Sequence, residues 1–221
     1  LPIPAFLRDE SVSEQYWRSW VETSTFRDAG KAFGRGFDPE RCSSLIRQLS
    51  RALEDGEYPS LTYVTDNKRV AKKYIRALES IFFLRRFIVH EKGTGNDHWI
   101  FGDSGLAYYV ATKKHGEGLM LSIARHFVLN ELLSLYEYHG KPFPHCYFKS
   151  PRGAIIDIVI DNIPMRIIHE TVSPSKIGWY ERALKGAMRT LSTSKAILIA
   201  PVDYVHIPKK GVCIVPWSYW S

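Results

Sequence analysis

The chain has 221 residues, enough to bury a core and to hold one large domain or two small ones. Hydrophobic residues make up 45% and aromatics 13%, which excludes a disordered chain, and the longest apolar runs, 155–160 and 196–202, have strand length, which excludes a helical membrane span. Lys and Arg outnumber Asp and Glu by 30 to 23, a positive field that favours polyanions, while Cys42, Cys146 and Cys213 lack the number and spacing of a disulfide framework or zinc site, so a cytoplasmic location is expected.

The sequence begins Leu1-Pro-Ile-Pro4 without an initiator Met or a signal-peptide pattern, and the expectation is a piece of something longer. Ser11-Val-Ser-Glu14 has the form of a capping box, followed by Tyr16, Trp17, Trp20 and Val21 at helical spacing, which predicts a helix to about Phe26. Asp38-Pro39 supplies an N-cap and an N1 proline for a second helix with Leu45, Ile46, Leu49 and Leu53 as its stripe and Gly56 as its stop. Residues 60–64 read as a short helix and Thr65-Asp66 as a turn. A third helix, 67–82, carries Val70, Tyr74, Leu78 and Ile81 on one face. Strand-like runs at 83–90 and 98–101 flank Lys92-Gly-Thr-Gly-Asn-Asp97, a hairpin turn, so a helix-turn-helix followed by a wing is expected. Residues 119–138 are the longest helical pattern, with Ile123, Phe127, Val128, Leu132 and Leu135 as its apolar side and Gly140 as its stop. Strands at 145–149, 154–160 and 165–170, a helix at 179–191, and strands at 196–202 and 212–215 complete the chain.

Two places carry candidate chemistry. The first is basic: Lys68, Arg69, Lys72, Lys73, Arg76, Arg85, Arg86 and Lys92 stand against Asp66, Glu79 and Glu91, and the cations avoid the apolar stripe. Such a face in the second helix of a helix-turn-helix can neutralise phosphates, although a solvated Lys/Arg face is also ordinary surface chemistry. The second is Ala154-Ile-Ile-Asp-Ile-Val-Ile160, where Asp157 interrupts an apolar strand. A carboxylate there needs a metal, a cap or a solvent-facing strand end to offset its desolvation. The arrangement resembles restriction-endonuclease-like nucleases, in which an Asp and a Glu-x-Lys on the next strand hold Mg²⁺ and activate water. Here the next strand reads Arg166-Ile-Ile-His-Glu170, which lacks both the first acid and the lysine of that motif. Glu170 is the displaced candidate ligand, with Glu131 or Lys176 completing the set. His126, His139 and His145 lack the pairing of a zinc helix, and neither GxSxG, GxGxxG nor GxxxxGK[ST] occurs.

The runs Leu78-Glu-Ser-Ile-Phe-Phe-Leu84, Trp99-Ile-Phe-Gly-Asp-Ser-Gly-Leu106, Phe127-Val-Leu-Asn-Glu-Leu132 and Ile155-Ile-Asp-Ile-Val-Ile160, in this order, resemble the C-terminal half of a prokaryotic family of AAA-type ATPases. That half joins a winged-helix segment to a domain of unknown function with a restriction-endonuclease-like core. Asp103-Ser-Gly-Leu106 matches the family's Asp-x-Gly-Leu, and Phe26-Arg-Asp28 its Arg-Asp after the first helix. The chain departs from the family where Arg125-His126 replaces a Glu-Asn, Ile155-Ile-Asp157 a Glu-x-Asp, and Ile168-His-Glu170 a Glu-x-Lys. The resemblance implies ATP only for an upstream P-loop module absent from this sequence.

The resulting expectation is an α+β chain: a helical, winged-helix-like segment over 1–101, then a restriction-endonuclease-like module over 102–221 with a small mixed sheet. Its expected role is a non-catalytic region of an ATPase that binds DNA or a partner protein, with no cofactor in this fragment and no membrane partner. The alternatives are a metal-dependent nuclease, using Mg²⁺ at Asp157, Glu170 and Glu131, and a pure protein-interaction module.

Overall fold

A computed structural model of the chain describes residues 10–111, 116–141, 146–150, 153–169, 174–208 and 210–217, and for 10–14, 24, 25, 146 and 174–177 it describes the backbone alone. Helices and small mixed sheets combine in two compact units, and the chain crosses between them at Arg85/Arg86, Trp99/Ile100 and Leu119/Met120. None of the described helices is long and apolar enough to cross a membrane.

In the first unit, α1 (Glu10–Thr23) continues past its expected end into a π-helical segment (Ser24–Ala29) and a last turn, α2 (Gly30–Phe33). The side chains of the Ser11–Glu14 capping box lie outside the described residues. Asp38 caps α3 (Pro39–Glu54) as its sequence predicts, accepting from the amides of Glu40 and Arg41 at 3.0 and 3.3 Å. Leu45, Ile46, Leu49 and Leu53 are all buried. Gly56, at φ +70°, closes the helix: its amide donates to Leu53 and the Glu57 amide to Ala52, the pair of bonds that satisfies the last carbonyls.

The short helix expected at 60–64 does not form. Two turns take its place, the Tyr63 amide donating to the Ser60 carbonyl and that of Val64 to Leu61. The reason is Gln48, a buried polar residue on α3. Its carbonyl oxygen accepts from the Thr65 amide (2.8 Å) and hydroxyl (3.1 Å), and its amide donates to Asp66 (3.0 Å), so the end of the segment is tied to α3 by side-chain bonds.

Asn67 caps α4 (Lys68–Ser80), and Ala71, Tyr74, Ile75 and Leu78 are its buried stripe. Tyr74 packs on Phe33 and Phe37 at ring separations of 4.3 and 5.7 Å, and its hydroxyl accepts from the Asp38 amide. Two residues past the helix end, Phe82 lies in the left-handed region at φ +58°, a conformation that costs a bulky residue about 1–2 kcal/mol. Phe83 turns inward against Trp20, 5.8 Å away.

The strands β1 (Leu84–Val89) and β2 (His98–Phe101) form the expected hairpin, and α5 (Ser104–Val110) follows. The hairpin is not a free-standing wing. β1 also pairs in parallel with β3 (Cys146–Lys149), giving a sheet of order β2-β1-β3-β4, where β4 is Ile155–Ile156. Its turn is tied down within the second unit, the Thr94 amide donating to the Lys149 carbonyl at 2.8 Å. Asp103-Ser-Gly-Leu106, the most specific motif of the sequence, has a structural explanation. Asp103 caps α5 through the Gly105 and Leu106 amides, a Cβ at Gly105 would lie 2.8 Å from the Trp17 indole, and Leu106 is fully buried.

In the second unit, α6 (Glu117–Tyr138) supplies the long helix, although its first turn, up to Leu119, belongs to the first unit. Of its expected face, Val128 and Leu132 are buried, and the rest differs. Leu135 is exposed, Ile123 and Phe127 are half-buried, and Ser122, Arg125 and His126 are inside with Leu129 and Leu133. The expected single strand over 154–160 is broken at Asp157. β4 pairs with β3, whereas β5 (Ile158–Ile160) begins a second sheet of order β5-β6-β7-β8, with β6 Ile163–Ile167, β7 Lys195–Ala200 and β8 Gly211–Pro216. β5 and β6 are antiparallel, and β6, β7 and β8 are parallel. The crossover α7 (Pro174–Leu191) buries Tyr180, Leu184, Ala187 and Leu191 against Ala196, Leu198 and Val212.

Candidate functional site

The basic residues singled out in the sequence separate into two groups. Lys68, Arg69, Lys72, Lys73 and Arg76 are all exposed on α4, at spacings of one, four, five and eight that put them on the side opposite Ala71, Tyr74, Ile75 and Leu78. Lys73 is held with its ammonium 3.9 Å from the centre of the Phe33 ring, whereas Lys68, Arg69, Lys72 and Arg76 make no ion pair among the described residues. Asn67 rather than an acid caps the helix and no acid occupies its first turn, so the partial positive charge of the N-terminus adds to that of Lys68 and Arg69. Arg85 and Arg86 are placed differently. The Arg85 guanidinium lies over the Phe82 ring at 5.6 Å, and Arg86, in the second unit, pairs with Asp97 through both Nε and a terminal nitrogen. Arg86 is thereby committed to closing the hairpin.

Asp157 is fully buried at the point where the chain passes from one sheet to the other. Its Oδ1 is 2.8 Å from Nε of Arg125, itself 4% exposed, an approach without hydrogen-bond alignment at Nε, so the attraction there is Coulombic. Oδ2 accepts the Ile167 amide at 2.6 Å, and the Asp157 amide donates to the Met165 carbonyl. The carboxylate therefore fastens α6 to β6 and stands at the break in the strand. That answers the desolvation problem of the sequence with an arginine rather than with a metal.

A Mg²⁺ ion needs several oxygens around one point. Both oxygens of Asp157 are engaged, and Glu131 is six residues beyond Arg125 on α6, which places it about 9 Å along and roughly 120° around the helix. Glu170 and the Lys176 side chain lie outside the described residues. Among the described residues no group of three His, Cys, Asp or Glu side chains forms a cation site. The residues described at Asp157 do not fit Mg²⁺, because a guanidinium already occupies the position from which the carboxylate would bind it.

Two histidines near this pair are neutral by virtue of burial. Burial pushes His126, fully inside, down to about 4, and its Nδ1–H donates to the Ser122 carbonyl at 2.7 Å. His98 is pushed down to about 3, chiefly by burial and further by the charge of Arg125, against the opposing pull of Asp97. It is wedged between Phe87 and Tyr147, with ring centres at 5.7 and 4.1 Å. Both are core groups. The sequence reading found Asp157 but missed Arg125 as its partner; the signal available was a cation in the apolar run Met120-Leu-Ser-Ile-Ala-Arg-His-Phe-Val-Leu129.

Comparison with protein-family models, with curated proteins and with solved structures finds no match.

Proposed function

We propose that the chain is a nucleic-acid-binding module without catalysis of its own, and that the exposed face of α4 is its contact surface. The observation that carries this reading is the set Lys68, Arg69, Lys72 and Arg76 on one side of a capped helix, exposed and without an ion pair among the described residues. Cations so placed are free to exchange counterions for phosphates, and this release drives sequence-independent binding. The order of elements, with helices before a hairpin, a long helix and a mixed sheet, suits the C-terminal region of an AAA-type ATPase in which nucleotide hydrolysis occurs upstream. Within that reading the Asp157 module is a scaffold, its acid committed to Arg125.

The test is a fluorescence-anisotropy titration of a labelled duplex with the native chain and with Lys72→Glu/Arg76→Glu. The reading expects saturable binding by the native chain and a loss of at least about tenfold in the variant, since each phosphate contact contributes on the order of a kcal/mol at low salt. Unchanged affinity would leave the face as a solvated helix surface, and no binding to any duplex would favour a protein partner.

A further inference from the structure

The chain turns between α2 and α3 through Phe33-Gly-Arg-Gly-Phe37. Both glycines have a φ that other residues rarely adopt, +81° at Gly34 and +80° at Gly36, and a Cβ at either would meet nothing within 4 Å. Backbone conformation rather than packing therefore calls for glycine, and Arg35 is the one side chain at the tip. The base of the loop is closed: the Gly34 amide donates to the Gly30 carbonyl at 3.0 Å, and the Phe33 and Phe37 rings, 5.6 Å apart, both pack on Tyr74. Arg35 is exposed and makes no ion pair among the described residues. Of the acids in 28–40, Asp28 is paired with Arg27 and Asp38 caps α3, which leaves Glu40.

This loop borders the basic face of α4. At about 100° per residue, Lys68, Arg69, Lys72, Lys73 and Arg76 span an arc of about 140°, and Lys73 lies at the end of that arc nearest Tyr74. Its ammonium stands 3.9 Å from the centre of the Phe33 ring, so the charge of α4 continues across Phe33 into the loop. Arg35 is two residues on from Phe33, at most about 7 Å of chain. A phosphate-binding face and a lone projecting arginine thus lie side by side within one unit.

We infer, on the α4 reading above, that Arg35 enters the minor groove of duplex DNA while α4 holds the adjacent phosphates, which gives the chain a preference for A·T-rich sites. The minor groove of B-form DNA is about 6 Å wide, and A-tracts narrow it further and deepen the negative potential that draws in an arginine. A tip whose flanking residues carry no side chains fits so narrow a slot, whereas a helix does not. G·C pairs put the guanine amino group on the groove floor, where it meets the guanidinium donor against donor.

Anisotropy titrations of the full chain with three labelled duplexes of equal length test it. One carries a central A·T tract, one a G·C tract, and one inosine·cytosine pairs, which keep the major-groove pattern of G·C but lack the guanine amino group in the minor groove. The native chain should bind the A·T and inosine·cytosine duplexes about tenfold more tightly than the G·C duplex, the scale of one specific groove contact. Arg35→Ala should bring the three affinities to within about twofold of one another, because the residue that senses the groove is gone. Lys72→Glu/Arg76→Glu should weaken all three and keep their ratio. Arg35 is exposed, so its replacement leaves the core intact, and circular dichroism checks the fold of each variant. Equal native affinity for the three duplexes, with the α4 variant weaker, would overturn the role of Arg35 and leave the α4 reading standing. Inosine·cytosine behaving like G·C, or a preference that survives Arg35→Ala, would overturn it too, and no binding to any duplex would remove both.

Discussion

Replacing Arg125 by Met isolates the part of the structure that decides how Asp157 is to be understood. The native pair is 2.8 Å apart, with side chains 5% and 0% exposed, so the arginine is the counter-charge of a carboxylate that water does not reach. Removing one partner of such a pair costs about 3–5 kcal/mol, because the other is left charged and buried. For a chain of this size that corresponds to a fall in midpoint temperature on the order of 10 °C. Arg125→Met/Asp157→Asn leaves no buried charge and should be milder than the sum of the two single changes. Urea unfolding followed by circular dichroism supplies the energies. Hydrogen exchange at the Ile167 amide, which donates to Asp157 Oδ2, reports the site itself. A loss below about 1 kcal/mol for Arg125→Met, or strictly additive single and double variants, would refute the argument that the arginine replaces a metal at this carboxylate.

Other expectations follow from burial and close packing. His126 and His98 are held at about 4 and about 3 against 6.5 for a free imidazole, so between these values the folded chain binds fewer protons than the unfolded one. Their contribution is complete above about pH 6.5 and is lost as the pH falls towards 4, about 2 kcal/mol per histidine between pH 7 and 5. Urea midpoints that stay flat over that range would contradict it, and His126→Gln should remove about half of the slope. A Cβ at Gly102 would overlap the Phe82 carbonyl oxygen, so Gly102→Ala should destabilise the first unit by about 3 kcal/mol in the same unfolding assay. Burial pushes the Cys42 thiol up to about 12, and mass-spectrometric mapping should find it unalkylated by iodoacetamide in the native chain and modified only after unfolding.

The sequence made local signals legible wherever one residue determines one backbone feature. Asp38-Pro39 caps α3, Gly56 and Gly140 end α3 and α6 at φ +70° and +63°, and the stripe of α3 is buried as its spacing requires. What stayed hidden depended on distant partners. Residues 60–64 read as a short helix, but Gln48 offers Thr65 and Asp66 side-chain bonds beside two turns at 60–64. In α6 the periodicity favoured Ile123, Phe127, Val128, Leu132 and Leu135, of which Val128 and Leu132 are buried, yet Arg125 and His126 are inside as well because Asp157 and the Ser122 carbonyl receive them. Asp157 itself was visible as an anomaly, and period-two alternation across it misled, since the strand changes sheets at that residue.

The salt dependence of duplex binding, native against Arg69→Glu/Lys72→Glu/Arg76→Glu, tests the role of α4 most directly. Each phosphate neutralised adds about 0.9 to the slope of log affinity against log salt on duplex DNA, so loss of three contacts should flatten the slope by about 2.7. Equal slopes for the two proteins would show that the α4 face takes no part in binding.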